Sequence, residues 1–76
     1  MSYVMGAVRH CSNPAFWRFL ESETNQVVGD KYAAAQQLRI LCGIQSRNEL
    51  ESNPYARTAY TGLITRFNDF LRRERQ

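Results

Sequence analysis

The chain has 76 residues, ten Lys+Arg against seven Asp+Glu, and a formal net charge of +3. With 43% apolar and 12% aromatic residues it is too rich in core-forming side chains for a disordered tail, and its length limits it to one domain near the lower bound for a self-supporting core. No apolar run approaches the ~20 residues needed to cross a bilayer, so no membrane-spanning helix and no membrane partner are expected.

Residues 1–11 are the least readable part. Tyr3, Val4, Met5 and Val8 are apolar, and two readings stand open: a segment that packs across the bundle or into a partner, and a flexible arm. One basic residue, Arg9, and no long apolar stretch argue against a secretory leader, and Ser2 stands where myristoylation needs glycine. Cys11 and Cys42 lie outside any C-x-x-C pair. Both read as free thiols of a reducing compartment, Cys42 as a buried small hydrophobe, and the expected location is the cytoplasm.

Ser12-Asn13-Pro14 is a helix start: Asn caps the free N–H groups and Pro fits the first helical position. The helix is predicted from Pro14 to about Glu23, with Phe16, Phe19 and Leu20 on its apolar face and Trp17 beside it. Glu21 and Glu23 make its end acidic, a poor match to the helix dipole. Residues 24–30 read as a loop containing Gly29. Asp30 caps a second helix, Lys31 to Cys42, with a stripe at Ala34, Leu38, Leu41 and Cys42, and Gly43 is the expected stop.

Ser46-Arg47-Asn48-Glu49 has the capping-box form and predicts a short helix that Ser52 and Asn53 end. One continuous helix kinked at Pro54 is the alternative; the break is preferred because a residue before Pro resists the helical region. Asn53-Pro54 opens the last and longest helix, to about Arg73, with Tyr60, Leu63, Ile64, Phe67, Phe70 and Leu71 at helical spacing. Glu74, Arg75 and Gln76 are expected to fray.

The expected fold is therefore all-α: a small helical bundle of three main helices plus one short helix, with a long C-terminal helix as its platform, in a single domain 1–76. Its apolar content is large for its size, which makes a homodimer an expectation, since a second copy would cover exposed apolar surface.

No constellation for catalysis is visible. The only His, His10, neighbours Cys11 in the weakly patterned start, and adjacent residues rarely aim at one point. His10, Cys11 and Cys42 lack metal-site spacing, and the four glycines are isolated. No enzymatic activity, cofactor or metal is expected. The pair Lys31–Gly43 and Ser46–Ser52 has a helix-turn-helix outline, but the second element is short and carries Glu49 and Glu51 against Arg47.

Two sets remain. Trp17, Arg18, Tyr55 and Arg57 are residue types that dominate protein interfaces; the competing reading makes Trp17 the edge of a small core. The basic and acidic residues of 1–53 cancel, so the net charge lies in 54–76. There Arg66, Arg72, Arg73 and Arg75 could contact phosphates, or simply complement the dipole of the helix end.

The stretch from Leu38 to Leu71, through Cys42-Gly43-Ile44, Ser46-Arg47, Glu49-Leu50, Asn53, Phe67 and Leu71, resembles small orphan accessory proteins of temperate, lambda-like bacteriophages. The resemblance covers about half of the chain. It implies a binding role toward a host enzyme or nucleic-acid machinery, carries no catalytic motif and transfers no functional residue. A protein-interaction module, such as an inhibitor of a host protein, is the first expectation. A nucleic-acid-associated protein using its basic C-terminal helix is the second.

Overall fold

The structure, a computed structural model, describes residues 2–75. It is all-α. Helices α1 (Tyr3–Cys11), α2 (Pro14–Thr24), α3 (Lys31–Cys42) and α4 (Pro54–Glu74) are joined by short connections, with a 3-10 turn at Arg47–Glu51 between α3 and α4. At 1.5 Å per residue α4 is about 32 Å long, close to the 37 Å long axis of the molecule. The remaining elements pack along it and on one another: α2, α3 and the 3-10 turn against α4, and α1 against α2, α3 and the turn.

Short polar side chains set the helix starts. Asn13 accepts from Ala15 N–H, Asp30 from Ala33 N–H, Ser46 from Asn48 N–H, and Asn53 from both Tyr55 and Ala56 N–H. Gly43 ends α3 in the left-handed region at φ 69°. The end of α2 uses Asn25 at φ 57°, a conformation that Asn tolerates better than other non-glycine residues. The chain breaks before Pro54 rather than continuing as a kinked helix. The short element after Ser46 is a five-residue 3-10 turn, and it buries Leu50 completely.

The acidic end of α2 has tertiary roles that local rules do not register. Glu21 accepts from Val28 N–H at 2.8 Å and ties down the loop after the helix. Glu23 pairs with Arg66 on α4 at 3.0 Å. Val28 and Ile44, one in each loop flanking α3, are buried with the core.

Residues 3–11 are a packed helix and not a flexible arm. Ala7 and Cys11 are at most 1% exposed. Ser2 caps the helix by accepting from Met5 N–H. Glu51, far along the chain, accepts from Val4 N–H at 3.0 Å and from the Ser2 hydroxyl at 2.8 Å. The α4 helix extends to Glu74, whose carboxylate holds Arg18, so the fraying expected there is absent at Glu74. Gln76 and Met1 lie outside the described residues.

The core is an aromatic cluster. Phe16 and Phe67 meet edge to face at 5.0 Å between centroids, Phe19 meets Phe67 and Phe70 at 5.5 and 5.6 Å, and His10 abuts Phe16 and Phe67. Leu20, Leu38, Leu50 and Leu63 complete it, and no polar or charged residue is buried among the described residues. The apolar content that suggested a second copy is thus largely taken up within one chain. The exposed large apolar side chains are scattered over α1, the loop before α3, α3 and the start of α4. No helix among the described residues is long and apolar enough to cross a membrane.

Candidate functional site

The interface set read from the sequence does not form one surface. The Trp17 ring packs against the core and its indole N–H donates to Cys11 C=O at 2.6 Å, so it is the edge of the core and links α2 to the end of α1. Arg18 pairs with Glu74 at the far end of α4, about 28 Å along the helix from Tyr55. Tyr55 is 86% exposed, but it and Arg57 are two residues apart and point about 200° from one another around α4. Arg57 turns toward α1, with its guanidinium 5.5 Å from the centroid of the Tyr3 ring.

The C-terminal arginines are divided as well. Arg66 pairs with Glu23 and Arg72 with Asp69, while Arg73 and Arg75 are exposed and hold no carboxylate among the described residues. Charge placement over the whole molecule is lopsided. All seven carboxylates are engaged: three in ion pairs, and Glu21, Asp30, Glu49 and Glu51 as acceptors of backbone N–H groups. Among the described residues only Arg18, Arg66 and Arg72 are in those pairs. The carboxylates that accept from the backbone keep their charge, so the excess that remains is the net +3 of the chain.

Arg57 and Tyr3 lead to a groove of about 330 Å³ between α1 and α4, lined by Ser2, Tyr3, Gly6, His10 and Tyr60. It exists because Gly6 has no side chain where α1 passes the Tyr60 hydroxyl: a Cβ at Gly6 lies 3.2 Å from that oxygen. His10 Nδ1 is 2.8 Å from Gly6 C=O and 3.0 Å from the Tyr60 hydroxyl oxygen. A carbonyl only accepts, so Nδ1 carries the proton and is shared between the two oxygens. The hydrogen of the Tyr60 hydroxyl is then available to the groove. Burial, reinforced by the Cys11 and Cys42 thiols when ionised, pushes the Tyr60 phenol up to about 12, so at neutral pH it stays a donor.

The thiols themselves are inert. Both are free and buried; burial raises Cys11 above its ordinary value of 9.0, more than Arg47 and Arg39 lower it, and burial likewise raises Cys42. Such thiols remain protonated at neutral pH and are weak nucleophiles. Among the described residues no group of three or more His, Cys, Asp or Glu is arranged to hold a metal ion.

Of the groove residues, sequence reasoning retained only Arg57, at its rim. A signal was present for two of the others: Tyr3 and His10 share with the buried Ala7 and Cys11 the i, i+4, i+7, i+8 spacing of a helix face. The chain matches no protein-family model, no curated protein and no solved structure.

Proposed function

We propose that this protein is a non-enzymatic interaction module that receives an apolar side chain of an acidic protein partner in the α1–α4 groove. The groove carries the reading. Its walls are aromatic, its floor offers one hydroxyl donor from Tyr60, and Arg57 stacks on Tyr3 at its rim. Tyrosine and arginine around a concavity are the residue types on which interface energy concentrates. The net charge of +3 favours a partner of opposite sign and speeds its approach. The resemblance to phage accessory proteins is consistent with a host protein in that role, with the cytoplasm as the place of action.

The test is affinity capture of partners from the cells in which the chain is made, with four baits. Wild type and Arg18→Ala, altered far from the groove, recover the same partner. Tyr3→Ala and Arg57→Glu weaken recovery by about thirty-fold each, the size of a hot-spot loss of about 2 kcal/mol. Equal recovery by all four baits contradicts the reading. A homodimer is the outcome in which the chain recovers itself.

The unpaired Arg73 and Arg75 favour a second reading, nucleic-acid association through the end of α4. It predicts binding to labelled duplex that falls steeply with salt and weakens for all sequences alike in Arg73→Ala. Undiminished binding in moderate salt argues against it.

A further inference from the structure

A second, smaller cavity of about 190 Å³ opens where the last turn of α1, the start of α3 and the start of the 3-10 turn meet. Cys11, Ser12, Lys31, Tyr32 and Arg47 are among the residues that line it. We propose that this cavity binds a single dianionic phosphate group, as inorganic phosphate or as a terminal monoester.

Two cations line the cavity and no carboxylate does. Neither Lys31 nor Arg47 is in an ion pair among the described residues. The acidic residues nearest them in sequence are turned to the backbone: Asp30 accepts from Ala33 N–H, and Glu49 accepts from Gln45 and Ser46 N–H. Lys31 is the first residue of α3 and Arg47 the first of the 3-10 turn, so two separate elements each bring one cation to the cavity.

The Arg47 guanidinium lies within hydrogen-bonding reach of the Cys11 thiol at the end of α1, which occupies one of its five N–H donors and leaves the others for a ligand. The last carbonyls of that helix already have donors: Val8 and Arg9 from Ser12 N–H, His10 from Asn13 N–H, and Cys11 from the Trp17 indole. The Lys31 ammonium rests 5.4 Å from the centroid of the Tyr32 ring, another residue of the lining. The Cys11 thiol is buried and neutral, so no fixed anion competes. A guanidinium fork and an ammonium carried by residues that line one small space are the donors that phosphate oxygens take. The volume is below the roughly 300–1,000 Å³ of a pocket for a drug-sized molecule, and it suits one compact anion.

The test uses the full chain, with backbone amides followed by NMR during titration with sodium phosphate against sodium chloride of equal ionic strength. Phosphate is expected to shift Ser12, Lys31, Tyr32 and Arg47 saturably and to raise the Tm, because a ligand of the folded state alone stabilises it. Arg47→Gln is expected to weaken phosphate at least tenfold. Arg73→Gln, which removes the same charge elsewhere, is expected to leave it unchanged. If Arg47→Gln does not fold, the exposed Lys31→Gln carries the same comparison. A nucleoside 5′-monophosphate is expected to match inorganic phosphate, and a dinucleotide phosphodiester to bind at least tenfold more weakly. Shifts no larger than those in chloride, or equal losses in the Arg47 (or Lys31) and Arg73 variants, overturn the proposal. A diester that binds as well as the monoester overturns the assignment of a dianion.

Discussion

Gly6 lies inside α1, where alanine stabilises a helix over glycine by about 1 kcal/mol. At this position the gain meets an obstacle. The new Cβ lies 3.2 Å from the Tyr60 hydroxyl, tighter than ordinary contact. That oxygen is not the loose end of a flexible chain: Tyr60 is 6% exposed, and its hydroxyl is 3.0 Å from His10 Nδ1. Displacing it by a few tenths of an ångström weakens a hydrogen bond worth about 1 kcal/mol net. In the wild-type background the two effects nearly cancel, and Gly6→Ala changes stability by less than about 0.5 kcal/mol. In a Tyr60→Phe background the hydroxyl is gone and the full gain of about 1 kcal/mol returns, or about 4–8 °C in Tm for a domain of this size. Urea unfolding of the four proteins measures the coupling, expected at about 0.5–1 kcal/mol. Equal effects of Gly6→Ala in both backgrounds, within about 0.3 kcal/mol, refute the geometry assigned to the groove.

Three further outcomes follow from the packing. Leu50→Ala empties a fully buried site and is expected to cost about 2–5 kcal/mol in urea unfolding, a large part of the roughly 4–11 kcal/mol available to a chain of this length; a loss below about 1 kcal/mol contradicts the burial of the 3-10 turn. The Glu51 carboxylate is held below its ordinary 4.5, first by Val4 N–H and then by the Ser2 hydroxyl. Because the folded value is depressed, its contribution is present above pH 4.5 and lost as pH falls through the lower folded value, so amide exchange at the start of α1 is expected to accelerate in acid before that of α4. In Glu51→Gln this acid sensitivity is reduced, and exchange indifferent to both changes speaks against the Glu51 anchor. Ultraviolet titration is expected to show one tyrosine ionising at about 12 that disappears in Tyr60→Phe. As its folded value is raised, the stabilisation is complete below 10 and is lost as pH climbs through 12, so alkaline unfolding is expected to begin in that window.

What could be read from the sequence was governed by local chemistry. Asn13, Asp30, Ser46 and Asn53 are short polar residues before helical patterns, and all four cap helical elements as their type dictates. The long apolar stripe of α4 is equally plain, with Tyr60, Leu63 and Phe67 buried and Ile64, Phe70 and Leu71 packed at its edge. The first helix was hidden because its support is remote. Gly6 and the β-branched Val4 and Val8 lower its intrinsic propensity, no acid lies in its first turn, and Glu51 supplies that acid from the 3-10 turn. Its face at Tyr3, Ala7, His10 and Cys11 includes small and polar residues, which a search for large apolar side chains passes over. The groove failed to appear for the same reason, since half of it belongs to that helix. Trp17 and Arg18 looked like an interface pair, but their partners, the Cys11 carbonyl and Glu74, come from neighbouring elements that only the folded chain brings near.

The groove connects the stability argument to the functional one. Gly6→Ala with Tyr60→Phe narrows it without loss of stability, so the double variant separates binding from folding. Site-specific photo-crosslinking in the cells that make the protein tests whether the groove receives a partner. One reactive residue replaces Thr61, exposed one helical turn beyond Arg57 at the rim, and in a second protein one replaces Gln36, exposed on α3. A single protein adduct is expected from position 61, lost when Arg57→Glu is added, and none from position 36. An adduct from position 36 with none from position 61 contradicts the proposed function.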